Sequence, residues 1–178
     1  MSTMPASELV TTYALGAAMA LDQYGDAAPI LSVQYDGGEA LTVQLARPDA
    51  EAIAQVVATL LMFLPRSTHV TVVVPLAPDD PGDPVALVVS MDLTVPGRGA
   101  WRTITPTTDP DGSEGYLVEG DDDNPGGGVL VELVAVALAM NLTADAPPEG
   151  TTLLRVLGAL GGMGLIVGAM TADPRIES

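Results

Sequence analysis

Ile30-Leu31-Ser32-Val33-Gln34-Tyr35, Asp36-Gly37-Gly38-Glu39 and Ala40-Leu41-Thr42-Val43-Gln44-Leu45 follow one another without interruption, and their reading decides the fold. Two alternating runs of strand-forming residues flank a loop rich in Asp and Gly, the pattern of a two-strand hairpin. Alternation places Ile30, Ser32 and Gln34 opposite Leu31, Val33 and Tyr35, so one face of the hairpin is the more apolar. Strands joined by short loops build an antiparallel sheet, and its apolar face needs helices against it.

The neighbours supply those helices. Residues from Ser7 to Tyr24 read as a helix, with Ser7 as N-cap and Gly25 just past the end, where a left-handed residue is favoured. Leu9, Tyr13, Ala17, Ala20 and Tyr24 share one face of it. After the hairpin, Pro48 opens a second helix, with Asp49 and Glu51 where the helix dipole favours negative charge. Ile53, Val56, Val57, Leu60, Leu61 and Leu64 form its apolar stripe, and Pro65 ends it. Further strands are expected at Val70–Leu76, Val85–Val95, Ala100–Thr105 and Tyr116–Glu119, then apolar segments at Val129–Leu142 and Leu153–Met170. The sum is a single α+β domain over residues 1–178. It has a mostly antiparallel sheet of about five to six strands and about three to four helices. A Gly/Pro-rich acidic excursion at 107–128 precedes an apolar helical part at 129–172.

Charge narrows the partners. Six arginines, no lysine and one histidine face 23 acidic residues, for a net charge of −17, while 48% of the chain is apolar. Without a basic patch, binding to nucleic-acid phosphates is excluded. Asn, Ile, Phe and Tyr are scarce along with Lys, which points to the codon usage of a GC-rich genome, an actinobacterium or its phage. The absence of cysteine rules out disulfides and thiolate chemistry. The start Met1-Ser2-Thr3-Met4-Pro5 is not a secretory signal, so the expected compartment is the cytoplasm, or a virion for a phage protein. The Asn141-Leu142-Thr143 sequon then carries no meaning.

Four motifs bear on function. Gly158, Gly161, Gly162 and Gly164 match a dinucleotide-loop spacing, but only 14 residues follow, too few for the βαβ unit that chemistry needs. Gly158/Gly162 and Gly164/Gly168 are instead spaced for close helix approach and are the candidate interface residues; five glycines also weaken a helix, so the segment reads either as one helix or as a helix that breaks near Gly161-Gly162 into a strand. The charge-free run Val156–Met170 is 15 residues, short of the ~18–20 that span a bilayer, which argues against a membrane helix. Asp109, Asp111 and Ser113 resemble the start of a calcium loop, with Asp121, Asp122 and Asp123 as further oxygens for Ca²⁺ or Mg²⁺. Glu114 and Gly120 depart from that pattern at its sixth and twelfth positions. Asn124-Pro125-Gly126-Gly127-Gly128 lacks the lysine of a phosphate loop and follows three aspartates. His69 stands alone, with Ser67 and Asp92 as merely formal triad partners.

No cofactor is implied beyond that candidate cation. The expectation is a non-enzymatic interaction or assembly protein that binds protein partners and forms a homo-oligomer. Two alternatives are a ligand- or cation-binding domain or enzyme using the acidic loop, and an acidic inhibitor occupying a basic site on a partner.

Overall fold

The computed structural model describes residues 4–35, 38–140, 144–146 and 152–171; within it, only the backbone is described for Val129, Leu130, Leu133 and Leu138. Met1–Thr3, Asp36 and Gly37, and the Asn141–Thr143 sequon lie outside these. The element order is α1 (Ala6–Tyr24), β1 (Ile30–Tyr35), β2 (Glu39–Leu45), α2 (Ala50–Phe63), β3 (His69–Pro75), β4 (Ala86–Asp92), β5 (Gly99–Thr108), β6 (Glu114–Asp121), α3 (Val129–Met140), α4 (Leu153–Gly162) and β7 (Ile166–Thr171). Seven strands form one antiparallel sheet in the order β6-β5-β4-β3-β1-β2-β7.

The hairpin forms as its alternation demands, with Leu31 opposite Val43 and Val33 opposite Leu41. All four are buried beneath α2, whose Val56, Val57, Leu60 and Leu61 are fully buried and whose Ile53 and Leu64 are nearly so. Asp49 caps α2 by accepting from the Ala52 amide at 3.0 Å. That amide, helped by Arg47, holds the Asp49 carboxyl below its ordinary pKa. α1 ends at Gly25 with φ 75°, its amide bonded to the Leu21 carbonyl at 2.9 Å. Its start differs from expectation: Pro5, not Ser7, occupies the N-cap. Its buried face is Leu9, Val10, Ala14, Ala17 and Leu21, while Tyr24 points to solvent.

The strand count is corrected: there are seven rather than five to six, and the added one lies inside the apolar part 129–172, where a helix followed by a strand is one of the readings. The helix stops at Gly162 and the chain reverses through Gly164, at φ 71°, before β7. Glycines weaken the helix there, and Ile166 and Val167 favour a strand. The excursion at 107–128 is largely hairpin: β5 runs to Thr108 and β6 covers Glu114–Asp121, which leaves the turn between them and residues 122–128 before α3 as loop.

The helices cover the two faces unequally, and only the middle of the sheet is covered on both. α1 packs over β3, β4, β5 and β6 against Val73, Val88, Ala100 and Ile104. On the other face α2, α3 and α4 pack over β1, β2 and β7, part of β3, and the Met91 end of β4. β3 serves both cores, with Val70 and Val72 in one and Val73 in the other. Arg102 pins α1 to the β6 end. Its guanidinium donates to the carbonyls of Trp101 (2.9 Å) and Asp121 (3.3 Å), to Thr11 Oγ1 (3.3 Å), and to the Asp122 carboxylate.

Candidate interaction site

The acidic candidates do not form one site. Asp109, Asp111 and Ser113 sit in the β5–β6 turn, where Thr108 pairs with Glu114, whereas Asp121 pairs with Trp101 at the other end of the hairpin. Seven register steps separate these pairs, about 24 Å along the strands. No single ion bridges that distance. The turn is closed by its own groups: Ser113 Oγ donates to Asp111 at 2.6 Å and to Asp109 at 3.2 Å, and its amide donates to Asp111 at 2.9 Å. The Ser113 hydroxyl and amide hold the Asp111 carboxyl below its usual pKa. Asp122 is drawn to Arg102, and Asp121 accepts from the Asp123 amide at 2.9 Å. Among the described residues, no three His, Asp or Glu side chains converge to hold a metal.

Ser67, His69 and Asp92 form no relay. His69 and Asp92 are register partners on β3 and β4. The Asp92 carboxylate, however, accepts from the Thr94 amide (2.8 Å) and hydroxyl (2.6 Å), and Ser67 donates to the Leu64 carbonyl at 2.9 Å. The imidazole Nδ1 instead lies 3.2 Å from Thr68 Oγ1. Thr68, His69, Asp92, Thr94 and Arg98 line a cavity of about 250 Å³ at the start of α1. Burial, reinforced by Arg98 and opposed by Asp92, pushes the His69 pKa below its ordinary 6.5. Below that value the unfolded imidazole binds a proton that the folded one refuses, so folding stability falls as pH drops. His69→Gln is expected to flatten the slope of urea stability between about pH 7 and pH 5, where wild type loses stability. An unchanged slope would show that the histidine is not held neutral.

The candidate interface glycines take three roles. Gly158 and Gly162 lie on the exposed side of α4, Gly164 makes the left-handed turn, and Gly168 is in β7. A Cβ added at any of them would meet nothing within 4 Å, so no described neighbour in the chain exploits their small size. Around them Leu154, Met163, Val167 and Met170 are 80%, 59%, 64% and 74% exposed. β7 is the terminal strand of the sheet, pairing with β2 on one side and with no described strand on the other.

Comparison with protein-family models, curated proteins and solved structures finds no match. The reading of the surface therefore rests on its physical chemistry. Between Leu153 and Thr171 there is no Asp or Glu, and Arg155 is the single charged residue, in a chain with 23 acids. Among the described residues, no helix is long and apolar enough to cross a membrane. A helix that breaks near Gly161-Gly162 into a strand is one of the two readings open for this segment, and Ile166-Val167 after the break mark the strand; its exposure has no local sign.

Proposed function

We propose that this protein is a non-enzymatic interaction or assembly subunit that self-associates through the β7 edge and the adjoining face of α4. One observation carries the reading: a strand edge that no described strand pairs, uncharged and apolar, on an otherwise strongly acidic molecule. An unpaired edge offers a row of backbone donors and acceptors, and proteins that stay apart guard it with charge, proline or a bulge on the outer side. The opposite edge is guarded, since β6 carries Glu114, Glu119 and Asp121. β7 carries Ile166-Val167-Gly168-Ala169-Met170-Thr171.

A second copy is the occupant that fits. Two β7 strands related by a two-fold axis pair antiparallel and satisfy each other's backbone, the self-complementary contact of a closed dimer. This region is also where two molecules of charge −17 can meet without opposing carboxylates. Gly158 and Gly162 then give close approach to a neighbouring molecule. Light scattering at micromolar concentration is expected to give twice the 18.1 kDa chain mass. Val167→Lys with Met170→Lys, both on exposed positions, should return the chain mass with an unchanged circular dichroism spectrum. A wild-type monomer, or a dimer indifferent to the two lysines, would overturn the proposal.

A further inference from the structure

The half of the sheet that α2, α3 and α4 leave bare is not uniform. On β4, Leu87 and Val89 alternate with Ala86 and Val88, which face α1, so they point to the opposite side. By the same alternation Trp101, Thr103 and Thr105 of β5, and Leu117, Glu119 and Asp121 of β6, share that side. The register aligns them in rows across the strands: Val89 with Trp101 and Asp121, Leu87 with Thr103 and Glu119. The face is thus apolar along β4, carries the chain's one tryptophan at its middle, and is acidic along β6.

Its apolar side deepens into a groove of about 250 Å³. Val72, Val74, Leu87 and Val89 form the floor, with the start of α2 and the Pro125–Gly128 loop before α3 as walls. The loop passes beside the indole, since a Cβ on Gly126 would lie 3.8 Å from Trp101 Cδ1. The helical layer over β1, β2 and β3 stops at this groove.

We propose that this trough docks an amphipathic, cationic helix of a partner protein, a claim that gives the interaction-protein reading its partner class. A helix laid along the strands would continue the layer begun by α2 and α3, inserting an apolar anchor into the groove. Its opposite flank would then face Glu119 and Asp121, where lysine or arginine is favoured. Strands of seven to eight residues are about 24 Å long, which a helix of about 16 residues matches. A second copy is disfavoured here. The β6 column is flanked by Asp122, Asp123 and the acidic turn, and the chain has only six arginines to answer them.

Trp101 is the only tryptophan, so its emission reports on this site directly. The probe is a 16-residue tryptophan-free peptide with leucine at helical spacing and lysine elsewhere. Titrated into the full chain, it is expected to shift Trp101 emission to the blue and to saturate. Glu119→Lys, at an exposed position, should weaken it about tenfold, as should Leu87→Glu, with binding falling as salt rises. The same spacing with glutamate for lysine should not bind, and a lysine–serine peptide should bind far more weakly. No shift with the leucine–lysine peptide overturns the proposal, and equal binding of the lysine–serine peptide reduces it to bare charge and overturns it too. Emission that changes with the protein's own concentration, with no effect of peptide, assigns the trough to a second copy instead. β7 lies at the far edge of the sheet, so loss of self-association leaves this readout intact, and the reverse.

Discussion

Gly120→Val is expected to strip β6 from the sheet. A Cβ at position 120 would sit 1.9 Å from the Trp101 carbonyl oxygen and 2.9 Å from Arg102 Cα. Those are backbone atoms of the neighbouring strand, which cannot swing aside as a side chain does. Overpacking against movable side chains costs about 1–3 kcal/mol, and here the pairing itself must open. The loss is expected to exceed that range and to concentrate at one edge. Arg102 would release the Asp121 carbonyl and Asp122, and the indole would gain water. The checking measurement is Trp101 emission, which should move to the red while far-ultraviolet circular dichroism keeps its helical signal. Native emission and an unchanged melting temperature would show that the strands are not so closely apposed.

Leu61→Ala should act on the whole molecule. Leu61 is fully buried in α2, in the cluster that joins β1, β2, β3 and the three helices of that face. Removing a buried leucine side chain costs about 2–5 kcal/mol, according to how far its surroundings close on the space. For a chain of this size a loss of about 3 kcal/mol lowers the melting temperature by about 6–12 °C. Differential scanning calorimetry would show one cooperative transition moved down by that amount. A shift under a degree or two would mean the site collapses freely, at odds with the packing of α2 on β1 and β2.

The α2 stripe was fully legible because every residue that makes it lies within one helix and repeats at its period. The β1–β2 hairpin was legible for a like reason, its register being set by a short turn and by alternation. β7 was harder. Leu153 to Met170 is apolar but for Arg155, and burial in a helix or a strand yields the same composition, so the break at Gly161-Gly162 was the only local sign of the change. The acidic candidates show the opposite failing. Asp109 and Asp121 look close in sequence, but an extended hairpin carries them to opposite ends. The bare half-sheet was not legible at all, since coverage depends on where α1 and α2 dock, and no local pattern in Trp101–Thr105 encodes that.

The pairing of β7 with β2 also bears on the order in which the molecule assembles. Three helices and four strands lie between them in the chain. Contacts of such long separation form late, because loop closure must be met before they contribute. The β1–β2 hairpin is local and forms early, so the outer side of β2 stands unpaired through most of folding. In that interval β2 accepts a strand from any molecule that offers one, and dilution is what favours the chain's own β7.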